Sequence, residues 1–294
     1  MIIVKLWGGL GNQLFQYCFG YALSKKYNDS LFFDIEFYNK QPKNVGKRSV
    51  QLVNYFSVSN FHTIERPKQV SFFENKFVNR IIRVFPGFRF KLPNNYFFVK
   101  ERTHRFMKKI PYRPNKINYY DGYWQSLKYF EDYLPDVLKE VAFKPSLARY
   151  LTNLKWPMSF DNSVAIHIRR GDFVMKKNLP KGYSLKKLNN YYLKAISYIR
   201  NTISNPVFYV FSDDINWCKE FLSCLPNAIF INSSGEYPVL EDFYGIMQCK
   251  NGIASASTFS WWSNFMARND NRIVVIPDGD YSNNYYSVDN WIKI

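Results

Sequence analysis

The sequence predicts an α/β protein of two domains, with parallel strands covered by helices. Three observations predict it. The chain has 294 residues, more than a single core usually serves, so two domains of ordinary size are expected. Short apolar, β-branched runs alternate with helical patterns through the second half, and parallel strands need such crossovers. Several of those runs stop in charged or hydroxyl residues, as strands that feed a ligand crevice do.

The clearest run is Val164-Ala165-Ile166-His167-Ile168-Arg169-Arg170-Gly171-Asp172. A buried strand here delivers charge at its tip. Two adjacent arginines supply forked donors matched to phosphate oxygens, so an anionic ligand is expected. The alternative is that Arg169, Arg170 and Asp172 pair with one another at a loop entrance.

Taken in order, residues 1–6 read as a strand, and Trp7-Gly8-Gly9-Leu10-Gly11-Asn12-Gln13 is a glycine-rich turn into a helix carrying Leu14, Phe15, Tyr17, Cys18, Tyr21 and Ala22. Such a turn lets backbone approach a ligand while the helix N-terminus offers free N–H groups. It is neither a Walker loop nor G-x-G-x-x-G, since the lysine and the spacing are absent. A second strand at 31–34 completes a βαβ start. From 40 to 120 the pattern breaks, with prolines at 42, 67, 86, 93, 111 and 114, and no elements are assigned there. A helix-like stretch at 129–143 and a short helix from 147 lead to Trp156-Pro157. The domain boundary is placed there, giving domains of 1–156 and 157–294. In the second, strands are expected at 164–168, 207–211, 228–231, 252–254 and 273–276, with helices near 188–203, 215–224, 239–250 and 260–268.

Composition removes several classes. With 47% apolar and 19% aromatic residues, a sizeable core can form. No window approaches the 18 or so consecutive apolar residues of a membrane span, and the apolar start is too short for a signal-peptide core. A cytoplasmic chain is expected. Cys18, Cys218, Cys224 and Cys249 show no C-x-x-C spacing and read as buried free thiols; His62, His104 and His167 have no partner at ligand spacing, which argues against zinc.

The net charge is +17, and residues 40–116 hold 18 Lys or Arg against three acids, leaving only +2 for the rest. That field suits nucleic acid, anionic lipid or a phosphorylated acceptor. Its aromatic interleaving, in Phe88-Arg89-Phe90-Lys91 and Tyr96-Phe97-Phe98-Val99-Lys100, suits a headgroup interface or single-strand stacking. A solvated basic face without specific purpose is the plain alternative.

In the second half, Ser212-Asp213-Asp214 follows one strand, and Ser257-Thr258-Phe259-Ser260-Trp261-Trp262 opens a helix after another. Hydroxyls and unpaired N–H groups in a first helical turn form an anion site, so with the arginines a diphosphate is the economical ligand. Asp242 either steadies its helix dipole or accepts N–H groups of a guanine. Asp213-Asp214 reads as an N-cap before it reads as a magnesium site. Asp278-Gly279-Asp280 follows Pro277 and reads as turn chemistry.

Together, Gly8 to Tyr17, His167-Ile168-Arg169-Arg170-Gly171-Asp172, Phe211-Ser212-Asp213-Asp214 with Trp217, and Thr258-Phe259-Ser260-Trp261-Trp262 closely resemble glycosyltransferase family 11, the α-1,2-fucosyltransferases. The H-x-R-R-x-D stretch is similar also to α-1,6- and protein O-fucosyltransferases. The four ordered motifs span positions 8 to 262; the basic middle matches nothing named.

The resemblance implies a GT-B type α/β fold, two Rossmann-like domains facing a cleft, with an acceptor-side domain first and GDP-fucose on the second. It implies no metal and no cofactor, GDP-fucose being a substrate. Arg169 would hold the β-phosphate, with His167 beside the nucleotide and Asp242 on guanine. Ser257, Thr258, Phe259 and Ser260 would line the diphosphate, with Arg170 and Asp213 on the same donor side. Gly9, Asn12 and Gln13 would close over the donor. Arg170 with Asp172 is expected to brace the loop; Asp172 is also the first choice of base, beside a late proton loss with no base. The chain departs from the commonest pattern at Ala256, where Asn is usual, and at Gln248, where Ser is frequent.

The implied reaction is inverting transfer of L-fucose to O2 of a terminal β-galactoside, in O-antigen or another surface polysaccharide on a lipid pyrophosphate, at the inner face of an anionic membrane. Transfer of another sugar from GDP, such as mannose, would leave a similar nucleotide site. A basic RNA-binding protein is the rival of another class, although the most specific residues lie outside the basic segment.

Overall fold

The computed structural model describes residues 1–41, 48–68, 70, 95–101, 106–156, 162–171, 174, 184–267, 271–279, 288 and 290–294. Asp172, Asp280, His104 and the run at 88–91 lie outside them.

Two units divide between Ala142 and Phe143, earlier than the boundary expected after Trp156. The reason lies in the helix Pro145–Asn153. Its Tyr150 hydroxyl donates to Glu241 at 2.6 Å, and Trp156 just beyond packs on the second unit's core and against Tyr244.

In the first unit, β1 (Ile2–Lys5) lies between β2 (Leu31–Asp34) and β5 (Ile117–Asp121), with β3 (Thr63–Ile64) and β4 (Tyr96–Lys100) at the edges, all parallel. Helix α1 (Leu10–Tyr27) is buried on every side from Gln13 to Leu23, so an amphipathic stripe is absent from its sequence. Phe19 stacks on Trp124 at 4.1 Å, joining α1 to the chain after β5. The run 96–100, whose aromatics suggested a headgroup or nucleic-acid interface, is an edge strand. Its Phe98 stacks on Tyr119 and Val99 is buried, so period-2 packing explains part of the interleaving. The helix-like stretch at 129–143 is shorter than its pattern, with 3-10 turns at Leu127–Tyr129 and Glu131–Tyr133 before the helix Leu134–Glu140.

The second unit is a six-stranded sheet in the order β11-β10-β9-β6-β7-β8, made of β6 (Ser163–Ile168), β7 (Val207–Ser212), β8 (Ala228–Phe230), β9 (Asn251–Ile253), β10 (Val274–Ile276) and β11 (Ile292–Lys293). Every pairing is parallel. The chain runs outward from β6 through β7 to β8, then returns to β6's other side with β9. That reversal puts a topological switch point at the carboxyl ends of β6 and β9. Alternate residues of β6 face opposite ways: Val164, Ile166 and Ile168 pack with the helix Leu185–Thr202, while Ala165 joins Phe211 and Ile246 on the other face. His167 therefore emerges on the face of the helix Pro238–Gln248. Cys18, Cys218 and Cys249 are buried as expected, but Cys224 is exposed, because its helix stops at Phe221.

Candidate active site

At the switch point His167 and Ser255 meet, Nδ1 to Oγ at 3.0 Å. Ser255 follows β9 in the turn to the helix Thr258–Phe265, and its backbone N–H donates to the Ser260 hydroxyl at 3.0 Å. Ser260 is thus wholly buried and engaged in shaping the turn. Ser257, Thr258 and Phe259 are only half-buried. Their helix has no acidic residue in its first turn, and its N-cap Ser257 makes no side-chain capping bond; a helix N-terminus of this kind carries positive potential. Phe259 lies 5.2 Å from the His167 ring and meets Phe243 edge-on at 5.3 Å. Burial drives His167 down to about pKa 4, with Asp213 opposing and Arg169 assisting. The imidazole is neutral at pH 7.

Arg169 pairs through Nη1 with Asp213 Oδ2 at 2.6 Å, and Asp213 Oδ1 accepts the N–H groups of Arg170 and Gly171 at 2.8 and 3.0 Å. A Cβ at Gly171 would stand 2.6 Å from that carboxylate, so glycine permits the wrap. Arg170 turns away: its Nε donates to Asp214 at 2.9 Å and its guanidinium lies over the Trp217 ring at 4.1 Å. Asp214 caps the helix Ile215–Phe221, accepting from Trp217 N–H. One aspartate therefore brackets Arg169 and the other is an N-cap. Among the described residues, no three His, Cys, Asp or Glu side chains gather as metal ligands would.

Asp242, in the second turn of Pro238–Gln248, accepts the Ser233 hydroxyl at 2.7 Å. Burial raises its carboxyl to about 6, against the lowering by Ser233 and with the charges of Glu241 and Asp213 adding to the rise. Next to it, Glu241 is buried and accepts from Tyr150 OH and from the N–H groups of Gly235 and Tyr237. It fastens the loop that carries Ser233.

In the first unit, Gly8 takes φ +86, and a Cβ there would stand 2.4 Å from Asn12 Nδ2. Asn12 Oδ1 accepts from Gln125 at 2.8 Å. Gln13 is wholly buried: its amide donates to Gly8 O and Ser49 O and accepts from the N–H groups of Gln51 and Leu52. Gln13 thus ties the segment after residue 48 to α1 and acts through the fold. The guanidinium of Arg48 lies 2.7 Å from where a Gly9 Cβ would be.

The structure thus gathers His167, Arg169, Asp213 and the half-buried first turn at 257–259 around one strand-end crevice. It assigns Arg170 to bracing, Gln13 and Ser260 to shaping their turns, and it describes nothing of Asp172. Ser255, Ser233, Glu241 and Arg48 are the residues that sequence reading missed. Ser255 stood beside the recognised hydroxyl cluster; the others carry no local signal.

A parallel sheet with this strand order, its polar groups gathered at the switch point, defines a Rossmann-like α/β protein. The glycosyl transferase family 11 sequence model matches residues 1–294, and the chain belongs to that family of glycosyltransferases. It is 31% identical over 283 residues to an Escherichia coli alpha-1,2-colitosyltransferase, covering 94% of this chain and 91% of the relative. It is 27% identical to the E. coli O-antigen biosynthesis glycosyltransferase WbnK, over 98% of both. To the mouse galactoside alpha-(1,2)-fucosyltransferase 2 it is 29% identical over 167 residues, 53% of this chain and 47% of the relative. Among solved structures it is similar to NodZ alpha-1,6-fucosyltransferase soaked with GDP-fucose, at TM-score 0.51 and 11% identity over 90% of this chain and 92% of NodZ; NodZ is from Bradyrhizobium. It is also similar to Arabidopsis thaliana FUT1 in complex with GDP, at TM-score 0.50 and 11% identity over 95% and 71%. At that identity the likeness concerns fold, and the fold is the GT-B type expected.

Proposed function

We propose that the chain transfers L-fucose from GDP-β-L-fucose to O2 of a terminal β-galactoside, inverting the anomeric carbon without a metal. The observation that carries this reading is the switch-point crevice, where the Arg169 guanidinium, fixed by Asp213, and a helix N-terminus with no acidic residue in its first turn meet. As the acceptor O2 attacks C1 from the face opposite GDP, the C1–O bond to the β-phosphate breaks and charge builds on that phosphate. Fixed guanidinium charge and N–H dipoles there favour the transition state over the ground state. Arg169 holds the β-phosphate, the backbone at Thr258 and Phe259 the remaining oxygens, and neutral His167 donates beside them. Asp242 accepts the guanine N–H groups. Asp172 takes the acceptor proton, or the proton leaves late to solvent.

The acceptor is a β-galactoside in a growing surface polysaccharide, carried on a lipid pyrophosphate. The basic segment 40–116 then rests on an anionic membrane face, with exposed Lys108, Lys109 and Arg113 contributing. No helix among the described residues is long and apolar enough to cross a membrane, so contact is peripheral in this reading. Salt-sensitive pelleting with anionic vesicles supports it; indifference to vesicles removes it.

A second donor has a specific observation in its favour, the similarity to the colitosyltransferase. Colitose is fucose without the 3-hydroxyl, so one polar contact decides between them. The deciding experiment is GDP release from GDP-fucose and from GDP-colitose, with lactose or a β-galactosyl-N-acetylhexosamine, in EDTA. Turnover with GDP-fucose establishes donor, acceptor class and metal independence together. Turnover with GDP-colitose alone replaces the donor. If GDP itself fails to raise the melting temperature while RNA does, the enzyme reading falls.

A further inference from the structure

We propose that Ser255 is a positioning residue that locks His167 in its Nε2–H tautomer, so that a neutral imidazole presents a hydrogen-bond donor at the switch point. The argument is one of satisfiability. The Ser255 hydroxyl has one proton to place, and among the described residues its only partner is His167 Nδ1, 3.0 Å away. Its residue is 5% exposed, and a buried hydroxyl proton left without an acceptor is costly. Were Nδ1–H the donor, Ser255 Oγ would accept it and its own proton would have nowhere to go. The proton therefore lies on Oγ and points at the Nδ1 lone pair, which puts the ring proton of the neutral imidazole on Nε2.

The ring cannot escape this by turning over. A half-turn would set Cδ2 against the Ser255 hydroxyl, and Phe259, 5.2 Å from the ring centre, holds the other side. Ser255 itself is fixed, because its N–H donates to Ser260 Oγ and its carbonyl accepts from Ser257 N–H at 2.8 Å. Ser260, wholly buried in the first turn of its helix, and Ser255 thus link that helix to the imidazole on the neighbouring strand. Nε2 makes no hydrogen bond to the protein among the described residues. The charged groups that act on the ring are Asp213 and Arg169, and burial keeps it neutral near pH 7. A donor at that position suits a phosphate or ribose oxygen, and the opposite tautomer would repel one with a lone pair.

The identity of the ligand rests on the reading under Proposed function; the tautomer does not. The test is nitrogen NMR of the full chain with labelled histidine. The three histidines limit the spectrum to three ring systems, and His167→Gln identifies the one that matters. At pH 7.5 the expected pattern is an unprotonated Nδ1 and a protonated Nε2. Ser255→Ala is expected to mix the tautomers, raise the ring's apparent pKa and weaken GDP binding by about three- to tenfold, the scale of one hydrogen bond. Ser255→Thr, which keeps the hydroxyl, is expected to restore all three. A protonated Nδ1 in the unaltered chain overturns the proposal, as do nitrogen shifts unmoved by Ser255→Ala. Should that variant fail to fold, the unaltered chain and Ser255→Thr decide alone. If the expected tautomer is found but GDP does not bind, the positioning role stands and the nucleotide reading is what fails.

Discussion

Arg169 and Asp213 meet at 2.6 Å across the ends of β6 and β7, and the same carboxylate gathers two backbone N–H groups from the turn that follows Arg169. The guanidinium is thereby held by a partner that is itself held. A cation fixed in advance stabilises developing charge without reorganising at the moment of reaction.

Arg169→Ala is expected to lower kcat by at least about a hundredfold, the scale of removing one preorganised donor. A fall under about threefold would sink the role assigned to it. Asp213→Asn keeps an acceptor for the N–H groups but removes the countercharge and the oxygen that accepts from Arg169. Its expected effect is smaller, about tenfold in kcat/KM, near the scale of one hydrogen bond to a charged group. Steady-state kinetics on both variants, with melting temperature as the control for folding, checks the ranking.

Asp242 should give a dependence on pH of calculable sign. Its carboxyl is raised from 3.8 to about 6, chiefly by burial. The folded chain keeps a proton that the unfolded chain releases between those values. The stability this gives is complete below about pH 4 and is lost as pH rises through 6. Above that, the buried charge costs about 2–3 kcal/mol. Asp242→Asn is therefore expected to stabilise the ligand-free protein at pH 8, and the gain should hold down to about pH 6 and shrink below it, while GDP affinity falls at every pH. Urea denaturation at three pH values tests it; a gain independent of pH would contradict the assignment.

Much of the second unit was legible because its strands are buried on both faces and end abruptly in charge. Val164 to Arg170 shows both features in seven letters. The role of Asp213 was not, since a capping aspartate and a bracketing one look identical until Arg169 is seen beside it. Gln13 is a related case. It stands in a glycine turn that invites a ligand, yet its amide is engaged by residues 49–52, in a stretch with no periodic pattern. The anchor for Glu241 is Tyr150, far away in sequence, in a helix that belongs to the second unit with no local signal to say so.

Gln13→Ala would leave Gly8 O, Ser49 O and the N–H groups of Gln51 and Leu52 without that amide. The expected loss is about 2–4 kcal/mol, with faster proteolysis near residue 50. Gln13→Glu keeps acceptors for the two N–H groups but sets a buried carboxylate oxygen against the two carbonyls, so at pH 7 it should lose at least as much. If both variants melt with the unaltered chain while kcat drops, Gln13 touches substrate after all.

Arg272 offers the sharpest separation of scaffold from chemistry. It is buried, bonds Cys249 O and Ile246 O at the end of the helix carrying Asp242, and meets Asn264 Oδ1 in the helix that begins with Thr258. Burial lowers its pKa to about 10, still well above neutrality, so the cation remains. Two helices whose opposite ends shape the crevice are thus tied at their far ends by one side chain. Arg272→Met fills similar space and abandons three acceptors, two of them backbone carbonyls that no second substitution can remove. A loss of about 3 kcal/mol or more is expected in denaturant. GDP affinity should fall as the helices loosen, while the apparent pKa of Asp242 in the binding profile stays near 6. A variant as stable as the parent would show that the two helices are held by packing alone.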